Sequence, residues 1–144
     1  MRKFIITFFI LLTMPMVSNA QQGDIVVSGE WARPILIAGR PGGAYFHIEN
    51  NGASADKLIN VTSSISPRVE IHEHTMKDGV MKMSQVMGLE VPAGESVELK
   101  PGGYHIMMFE TTDKYGAGDT IDLKLNFEKA GIIEKTVKVM TKQP

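Results

Sequence analysis

The 144-residue chain contains no cysteine. It therefore has no disulfide to stabilise it, no thiolate to bind a metal and no thiol to oxidise. Electron-transfer proteins of the blue-copper class use a cysteine thiolate as a copper ligand, so this class is excluded. A lipoprotein needs a cysteine after its signal peptide to carry the acyl chain. We therefore expect a soluble mature protein that is stabilised by the packing of its core.

Apolar runs long enough to cross a bilayer are also missing. Residues 4–17 form an apolar run that contains Pro15 and is shorter than the roughly 20 residues that a spanning helix needs. This run follows two basic residues and precedes Ser18-Asn19-Ala20, which is the pattern of a secretory signal peptide. We predict that residues 1–20 are cleaved and that residues 21–144 form one exported domain without stable membrane insertion.

Helical periodicity is absent from the mature sequence. Apolar and polar residues alternate in short runs separated by Gly, Pro, Asn and Asp, which predicts an all-β fold. Nine short strands are expected, and this number indicates a sandwich or barrel. The predicted strands cover residues 25–28, 43–48, 57–61, 69–76, 80–87, 96–99, 104–109, 120–127 and 132–140. Turns are expected at Pro41-Gly42-Gly43, Asn50-Asn51-Gly52, Asp78-Gly79, Pro92-Ala93-Gly94 and Pro101-Gly102-Gly103.

Two functional classes have no support in the sequence. The chain has 15 Lys and Arg against 16 Asp and Glu, and removal of Arg2 and Lys3 with the signal peptide makes the remainder more acidic. Nothing therefore indicates a nucleic-acid partner. No nucleophile, base and orienting acid form a recognisable motif, and the glycine-rich residues 39–43 lack a phosphate-binding pattern. We expect a protein that is not an enzyme.

The residues that say most about function are two histidines and two methionines in the middle of the chain. They are His72, Met83, His105 and Met107. Thioether sulfurs and imidazole nitrogens suit Cu(I), whereas zinc sites usually include thiolate or carboxylate and calcium and magnesium sites use oxygen. Copper is the leading metal for such a set.

Strand alternation predicts how these side chains meet. His72 and His74 share one face of their strand, opposite the core-facing Ile71. If Asp78-Gly79 forms a two-residue hairpin turn, His74 lies opposite Met83 and His72 lies diagonal to it. In the same pairing Met76 lies opposite Met81. His105 and Met107 share a face of their own strand and can converge on the same ion only if that strand lies beside the hairpin.

The spacing His72, ten residues, Met83, twenty-one residues, His105-Ile106-Met107 resembles the signature of the periplasmic copper chaperones of the PCu(A)C type. Other segments of the mature chain share the resemblance. They are Trp31-Ala32-Arg33-Pro34, Gly42-Gly43-Ala44-Tyr45, Ile48-Glu49-Asn50-Asn51-Gly52, Glu70-Ile71-His72-Glu73 and Leu99-Lys100-Pro101-Gly102-Gly103-Tyr104.

This resemblance implies a cupredoxin-like β-sandwich with Greek-key connections that binds one Cu(I) through His72, Met83, His105 and Met107. It also implies a protein of the periplasm that delivers the ion toward the dinuclear copper centre of cytochrome c oxidase. The partners would be periplasmic proteins that donate or accept copper, including cytochrome c oxidase or its assembly factors. Because the ligands are uncharged, we expect the ion to be held but transferable.

Several alternatives stay open at this stage. His74 and Met81 share the face of the candidate ligands and are substitutes for them, whereas Met76 and Met87 are expected to pack or to line the rim. Taken singly, His72 reads as a solvated strand histidine and Met83 and Met107 as core filler. The competing function is an exported β-sandwich interaction module with incidental metal binding. The sequence does not decide whether Cu(II) also binds, and we expect a monomer.

Overall fold

The structure is a computed structural model that describes residues 24–144. The predicted signal peptide, residues 1–20, lies outside the described residues. Ten β-strands form the described part of the chain, and no helix occurs within it. The strands are β1 (Ile25–Ala32), β2 (Gly42–Asn50), β3 (Asp56–Thr62), β4 (Arg68–Lys77), β5 (Val80–Gln85), β6 (Leu89–Val91), β7 (Ser96–Glu98), β8 (Tyr104–Phe109), β9 (Thr120–Phe127) and β10 (Gly131–Val139). Residues 24–144 accordingly contain no helix with the length and apolar character needed to cross a membrane.

The strands are hydrogen-bonded in the order β5-β4-β8-β2-β1-β10-β9-β3-β6, and β7 pairs with β2. All pairs are antiparallel except β1 with β10. The path folds over so that β3 approaches β4, although five strands separate them along the hydrogen-bonded order. The predicted all-β, cupredoxin-like sandwich is confirmed.

All nine predicted strands are present, with differences at several of their ends. Strand β1 continues to Ala32, four residues past its predicted end, across an irregularity between Ser28 and Trp31 that breaks the alternation. Asn50, predicted in a turn, is the last residue of β2. Gly42 and Gly43 lie inside β2 rather than in a turn, and they pair with Met108 and Met107. Glycine is needed at position 42 for close packing, because a Cβ atom there would lie 2.5 Å from Cδ1 of Ile35. Strand β5 ends at Gln85, two residues before its predicted end. The three-residue strand β6 was not predicted because its run is too short to show alternation.

The core is one cluster of apolar side chains supplied by alternate residues of the strands. Strand β9 shows the pattern, with Ile121, Leu123, Leu125 and Phe127 buried between more exposed residues. Burial of each such side chain contributes about 1.5–3 kcal/mol. Trp31 is also buried and packs on the ring of Tyr45 with the centroids 4.6 Å apart, so it has a structural role in the core.

A buried carboxylate connects the start of β3 to the turn between β9 and β10. Oδ1 of Asp56 accepts hydrogen bonds from the backbone N–H groups of Lys57 (2.7 Å) and Lys129 (2.9 Å), and Oδ2 accepts one from Ala130 (2.9 Å). Asp56 is 5% exposed, and its three hydrogen bonds are partly buried. An unpartnered buried donor carries the full cost of its desolvation.

We predict that Asp56→Ala lowers the free energy of unfolding by about 1.5–3 kcal/mol, because it removes a charged acceptor from three partly buried N–H groups. Urea denaturation followed by circular dichroism would measure the change. Glu134→Ala is the matched control, because Glu134 is exposed and its ion pair with Lys124 lies at the surface. Equal stability of the two variants would contradict this role for Asp56.

Candidate metal centre

Strands β4 and β5 form a hairpin whose turn is Asp78-Gly79. Both residues have positive φ, 53° and 75°, as a type I′ turn requires. The turn pairs Met76 with Met81 and His74 with Met83, and it places His72 opposite Gln85. The register predicted from the sequence is therefore confirmed, including the diagonal relation of His72 to Met83.

Strand β8 is the neighbour of β4 on the side away from β5. The ladder pairs His72 with His105 and Glu70 with Met107. This adjacency satisfies the condition for His105 and Met107 to join the hairpin histidine. Because side chains two residues apart share a face, all four predicted ligands lie on the same face of three adjacent strands.

Two of the three histidines on this face are buried, although the face points away from the core. His72 is 8% exposed and His105 is 4% exposed. The interpretation of His72 as a solvated strand histidine is therefore wrong. Its ring packs against the ring of Phe109 at a centroid distance of 5.7 Å, and the guanidinium of Arg68 covers that phenyl ring at 3.9 Å. These aromatic contacts give the outer face of β4 and β8 a small buried layer of its own.

The methionines differ from one another in exposure. Met83 is 43% exposed and Met107 is partly buried, whereas Met108, on the opposite face of β8, is fully buried in the core. Met83 is therefore not core filler. A thioether that contributes little to the core is available to a ligand that approaches from solvent.

A carboxylate fixes the orientation of the His72 ring. Nε2 of His72 lies 2.7 Å from Oε2 of Glu70, and the guanidinium of Arg68 lies 2.8 Å from Oε1 of the same carboxylate. The hydrogen bonds from His72 and Arg68 lower the pKa of Glu70, which keeps this carboxylate ionised and able only to accept. Nε2 of His72 must therefore donate, and in the neutral ring the lone pair is on Nδ1. That Nδ1 atom is buried and has no hydrogen-bond partner.

The His105 ring is held in the opposite tautomer. Its Nδ1 lies 3.0 Å from the carbonyl oxygen of Gly103, which can only accept, so Nδ1 donates and the lone pair is on Nε2. Burial lowers the pKa of His105, although the hydrogen bond to Gly103 raises it in part. A neutral imidazole with a free lone pair is the form that binds a metal.

The distance between the two rings permits a shared ion. The centroids of His72 and His105 are 5.9 Å apart. A metal bound at the usual 2.0–2.1 Å from an imidazole nitrogen lies roughly 3 Å from the ring centroid, so one ion fits between two rings at this separation. No three histidine or acidic side chains within residues 24–144 are grouped so that they would hold a metal. A complete ligand set on this face therefore needs the thioethers.

His74 lies beside the candidate ligands. Its ring stacks on that of His105 with the centroids 4.7 Å apart, and its Nδ1 is buried without a hydrogen-bond partner. His47, by contrast, is half-buried in β2 with Glu49 at 3.4 Å, away from the candidate ligands.

Two groups that orient the histidines were not assigned a role from the sequence. The role of Glu70 could have been predicted from the sequence, because Glu70 lies two residues before His72 on the same strand and therefore on the same face. The role of the Gly103 carbonyl could not, since every residue has such a group and only the turn before β8 aims this one at an imidazole.

Fold and site together define an all-β sandwich with a cluster of imidazoles and thioethers on the outer face of three strands. Residues 25–139 match the family model described as putative lipoprotein LpqE-like, and the chain belongs to this family. The family description and that of a relative, both of putative lipoproteins, agree with an exported protein. This chain itself has no cysteine to acylate.

Two curated relatives share part of the sequence. Putative lipoprotein Lxx21020 of Leifsonia xyli subsp. xyli (strain CTCB07) is 32% identical over 85 residues, which cover 58% of this chain and 51% of the relative. Uncharacterized protein RP573 of Rickettsia prowazekii (strain Madrid E) is 30% identical over 118 residues, which cover 79% and 65%. The chain thus spans about half to two thirds of the length of these relatives.

Solved structures with the same fold are PCuAC domains. The apo PmoF2 PCuAC domain is 25% identical with a TM-score of 0.68, covering 81% of this chain and 90% of that one. The copper-bound PCuAC domain from PmoF2 is 23% identical with a TM-score of 0.71, covering 83% and 95%. CuI-DR1885 from Deinococcus radiodurans is 18% identical with a TM-score of 0.64, covering 87% and 86%. The family resemblance seen in the sequence is confirmed.

We predict that neutral His72 carries its proton on Nε2 and neutral His105 carries its proton on Nδ1. Long-range ¹H–¹⁵N correlation spectra of the metal-free protein distinguish the two tautomers. Glu70→Leu should remove the preference at His72 and leave His105 unchanged, and Glu134→Leu should affect neither ring. The same tautomer in both rings would contradict the hydrogen-bond assignment.

Proposed function

We propose that this protein is a copper chaperone that binds one Cu(I) through Nδ1 of His72, Nε2 of His105 and the thioethers of Met83 and Met107. The observation that carries the proposal is the pairing of His72 with His105 on adjacent strands. In each ring a hydrogen bond holds one nitrogen, and the lone pair that could bind a metal is on the other nitrogen. Met83 on β5 and Met107 on β8 both lie diagonal to His72 on the same face.

The chemistry of the donor set supports Cu(I) over other ions. Two neutral nitrogens and two soft sulfurs match a soft monovalent cation, while hard divalent ions require oxygen donors that do not converge here. The structural neighbours support the same metal, because one is a copper-bound PCuAC domain and another is CuI-DR1885. Thioether ligands disfavour binding of the oxidised ion, Cu(II).

The exposure of the ligands supports transfer rather than storage. Two ligands are almost completely buried and hold their orientation, while Met83 is 43% exposed at the open side of the site. An incoming protein can contact this sulfur before the histidines release the ion. Because none of the four ligands is charged, the bound ion keeps most of its positive charge and exchange is favoured.

The place and the partners of this transfer follow from the same proposal. The exported chain would work in the periplasm as a single domain and a monomer, and it would deliver Cu(I) toward the dinuclear copper centre of cytochrome c oxidase. Delivery by way of an assembly factor is part of this proposal. Ligand exchange moves the ion without bond-breaking chemistry, so no catalytic activity is required.

We predict that one Cu(I) binds per chain and that His72→Gln, Met83→Leu, His105→Gln and Met107→Leu each weaken its binding. Anaerobic competition of residues 21–144 with a coloured Cu(I) chelator would measure the affinity, with circular dichroism to confirm that each variant is folded. The matched controls are His47→Gln and Met87→Leu, because His47 lies in another part of the sheet and Met87 is 86% exposed beyond the hairpin.

Equal affinity of the wild type and the His72→Gln/Met83→Leu double variant would contradict the proposed function. That result would favour the competing function, an exported interaction module in which metal binding is incidental.

We also predict that Glu70→Gln weakens Cu(I) binding by about 10-fold to 100-fold, as is typical when the hydrogen-bond acceptor of a ligating histidine is altered. The amide oxygen of glutamine still accepts a hydrogen bond, but it lacks the negative charge that increases the basicity of the ring. Glu134→Gln serves as the control for loss of one carboxylate. An unchanged Kd in Glu70→Gln would show that His72 does not bind copper through the nitrogen opposite Glu70.

A further inference from the structure

The tip of the β4–β5 hairpin carries two methionines that the four-ligand site does not use. Met76 and Met81 lie directly opposite each other in the ladder and are 67% and 60% exposed. Met76 was expected to pack or to line the rim, and Met81 was a possible substitute for a ligand. Both side chains are mostly in solvent. With Met83, which is 43% exposed on the same face, they form a contiguous apolar surface, and such surfaces mark binding sites more than single exposed residues do.

The hairpin tip extends past the neighbouring strand. Strand β8 begins at Tyr104, which pairs with Glu73, so residues 75–82 lie beyond it. Strand β5 is at the edge of the sheet and, within residues 24–144, pairs only with β4. The two thioethers are therefore accessible both from the open face and from the free side of the hairpin.

The ladder geometry brings the two sulfurs within reach of one ion. Cβ atoms of directly opposite residues lie about 4.5–5.5 Å apart. Methionine has three rotatable bonds and a polarisable sulfur, so both thioethers can turn toward a cation between them. Two neutral soft donors with the remaining positions open to solvent form a weak and readily exchanged Cu(I) position.

The same face leads from this pair to the proposed ligands. The next pair along the hairpin is His74 and Met83, roughly 6.8 Å further at two residues per step. The ring of His74 stacks on His105, and its buried Nδ1 has no hydrogen-bond partner. Soft or imidazole donors thus occur at each step between the hairpin tip and the inner site.

We propose that Met76 and Met81 form an outer Cu(I) position through which the ion enters and leaves the inner site. This inference rests on the proposed function, since it assigns an entry point to the same cargo. In the transfer the ion keeps its oxidation state, and a coordinate bond to the sulfur of Met83 forms as one to Met76 or Met81 breaks. The outer position is weaker than the inner one because it has two protein ligands rather than four.

The experiment follows the methionine methyl signals by NMR in residues 21–144 with ¹³C-methyl methionine. Cu(I) is added anaerobically as its acetonitrile complex. We expect the first equivalent to shift Met83 and Met107, and further Cu(I) to shift Met76 and Met81 together. In Met76→Leu/Met81→Leu the first shifts should persist and the second event should be lost, because leucine preserves the apolar pair but has no sulfur. Met87→Leu should leave both events unchanged.

The double variant should also release its first equivalent of Cu(I) to a chelator more slowly than the wild type, with an unchanged Kd. Unshifted Met76 and Met81 signals in excess Cu(I) would overturn the outer position, and an unchanged release rate would overturn its role in exchange. Failure of the proposed function has a different signature, because the first equivalent would then leave Met83 and Met107 unshifted.

Discussion

The register between β4 and β8 is the constraint on which the site depends. It places His72 opposite His105 and Glu70 opposite Met107, across a ladder whose other face carries Ile71 and Ile106 in the core. Because strand side chains alternate, a slip of one residue would turn the imidazoles into the core and expose the isoleucines. The burial of the isoleucines therefore fixes the positions of the histidines. The same hydrogen bonds thus specify both the packing of the core and the arrangement of the proposed ligands.

The hydrogen bonds to the two imidazoles have complementary effects. A carboxylate accepts from Nε2 of His72, whereas a backbone carbonyl accepts from Nδ1 of His105. The tautomer and orientation of each ring are therefore fixed before an ion binds, which reduces the entropy lost on binding. The carboxylate also places a negative charge next to a site whose proposed ligands are all neutral. The ion pair of Glu70 with Arg68 moderates this charge, so the site is less attractive to cations than a bare carboxylate would make it.

Local patterns were sufficient to predict the hairpin but not its neighbour. The Asp78-Gly79 turn and strict alternation determine which residues of β4 and β5 face each other, and every pair they predicted is present. The pairing of β4 with β8 joins segments separated by β5, β6, β7 and the turn at Gly103, and no local pattern encodes such a contact. From the sequence we could say that His105 joins the site only if β8 lies beside the hairpin. The sequence could not show that β8 does lie there. It also could not reveal that His72 is buried, because the ring of Phe109 packs against it from β8, and no local pattern indicates that neighbour.

The absence of cysteine affects how tightly this site would hold Cu(I). A thiolate would neutralise Cu(I) directly, bind it more tightly and be open to oxidation in an exported protein. Here the negative charge is on Glu70, which is hydrogen-bonded to the proposed ligand His72 and does not itself bind the ion in this proposal. The sulfurs are neutral thioethers. The two histidines are buried and oriented by hydrogen bonds, while the proposed ligand Met83 is exposed. Such a site is anchored on its inner side and open on its outer side. The proposed exchange therefore proceeds by replacement of sulfur ligands while the two imidazoles remain in place.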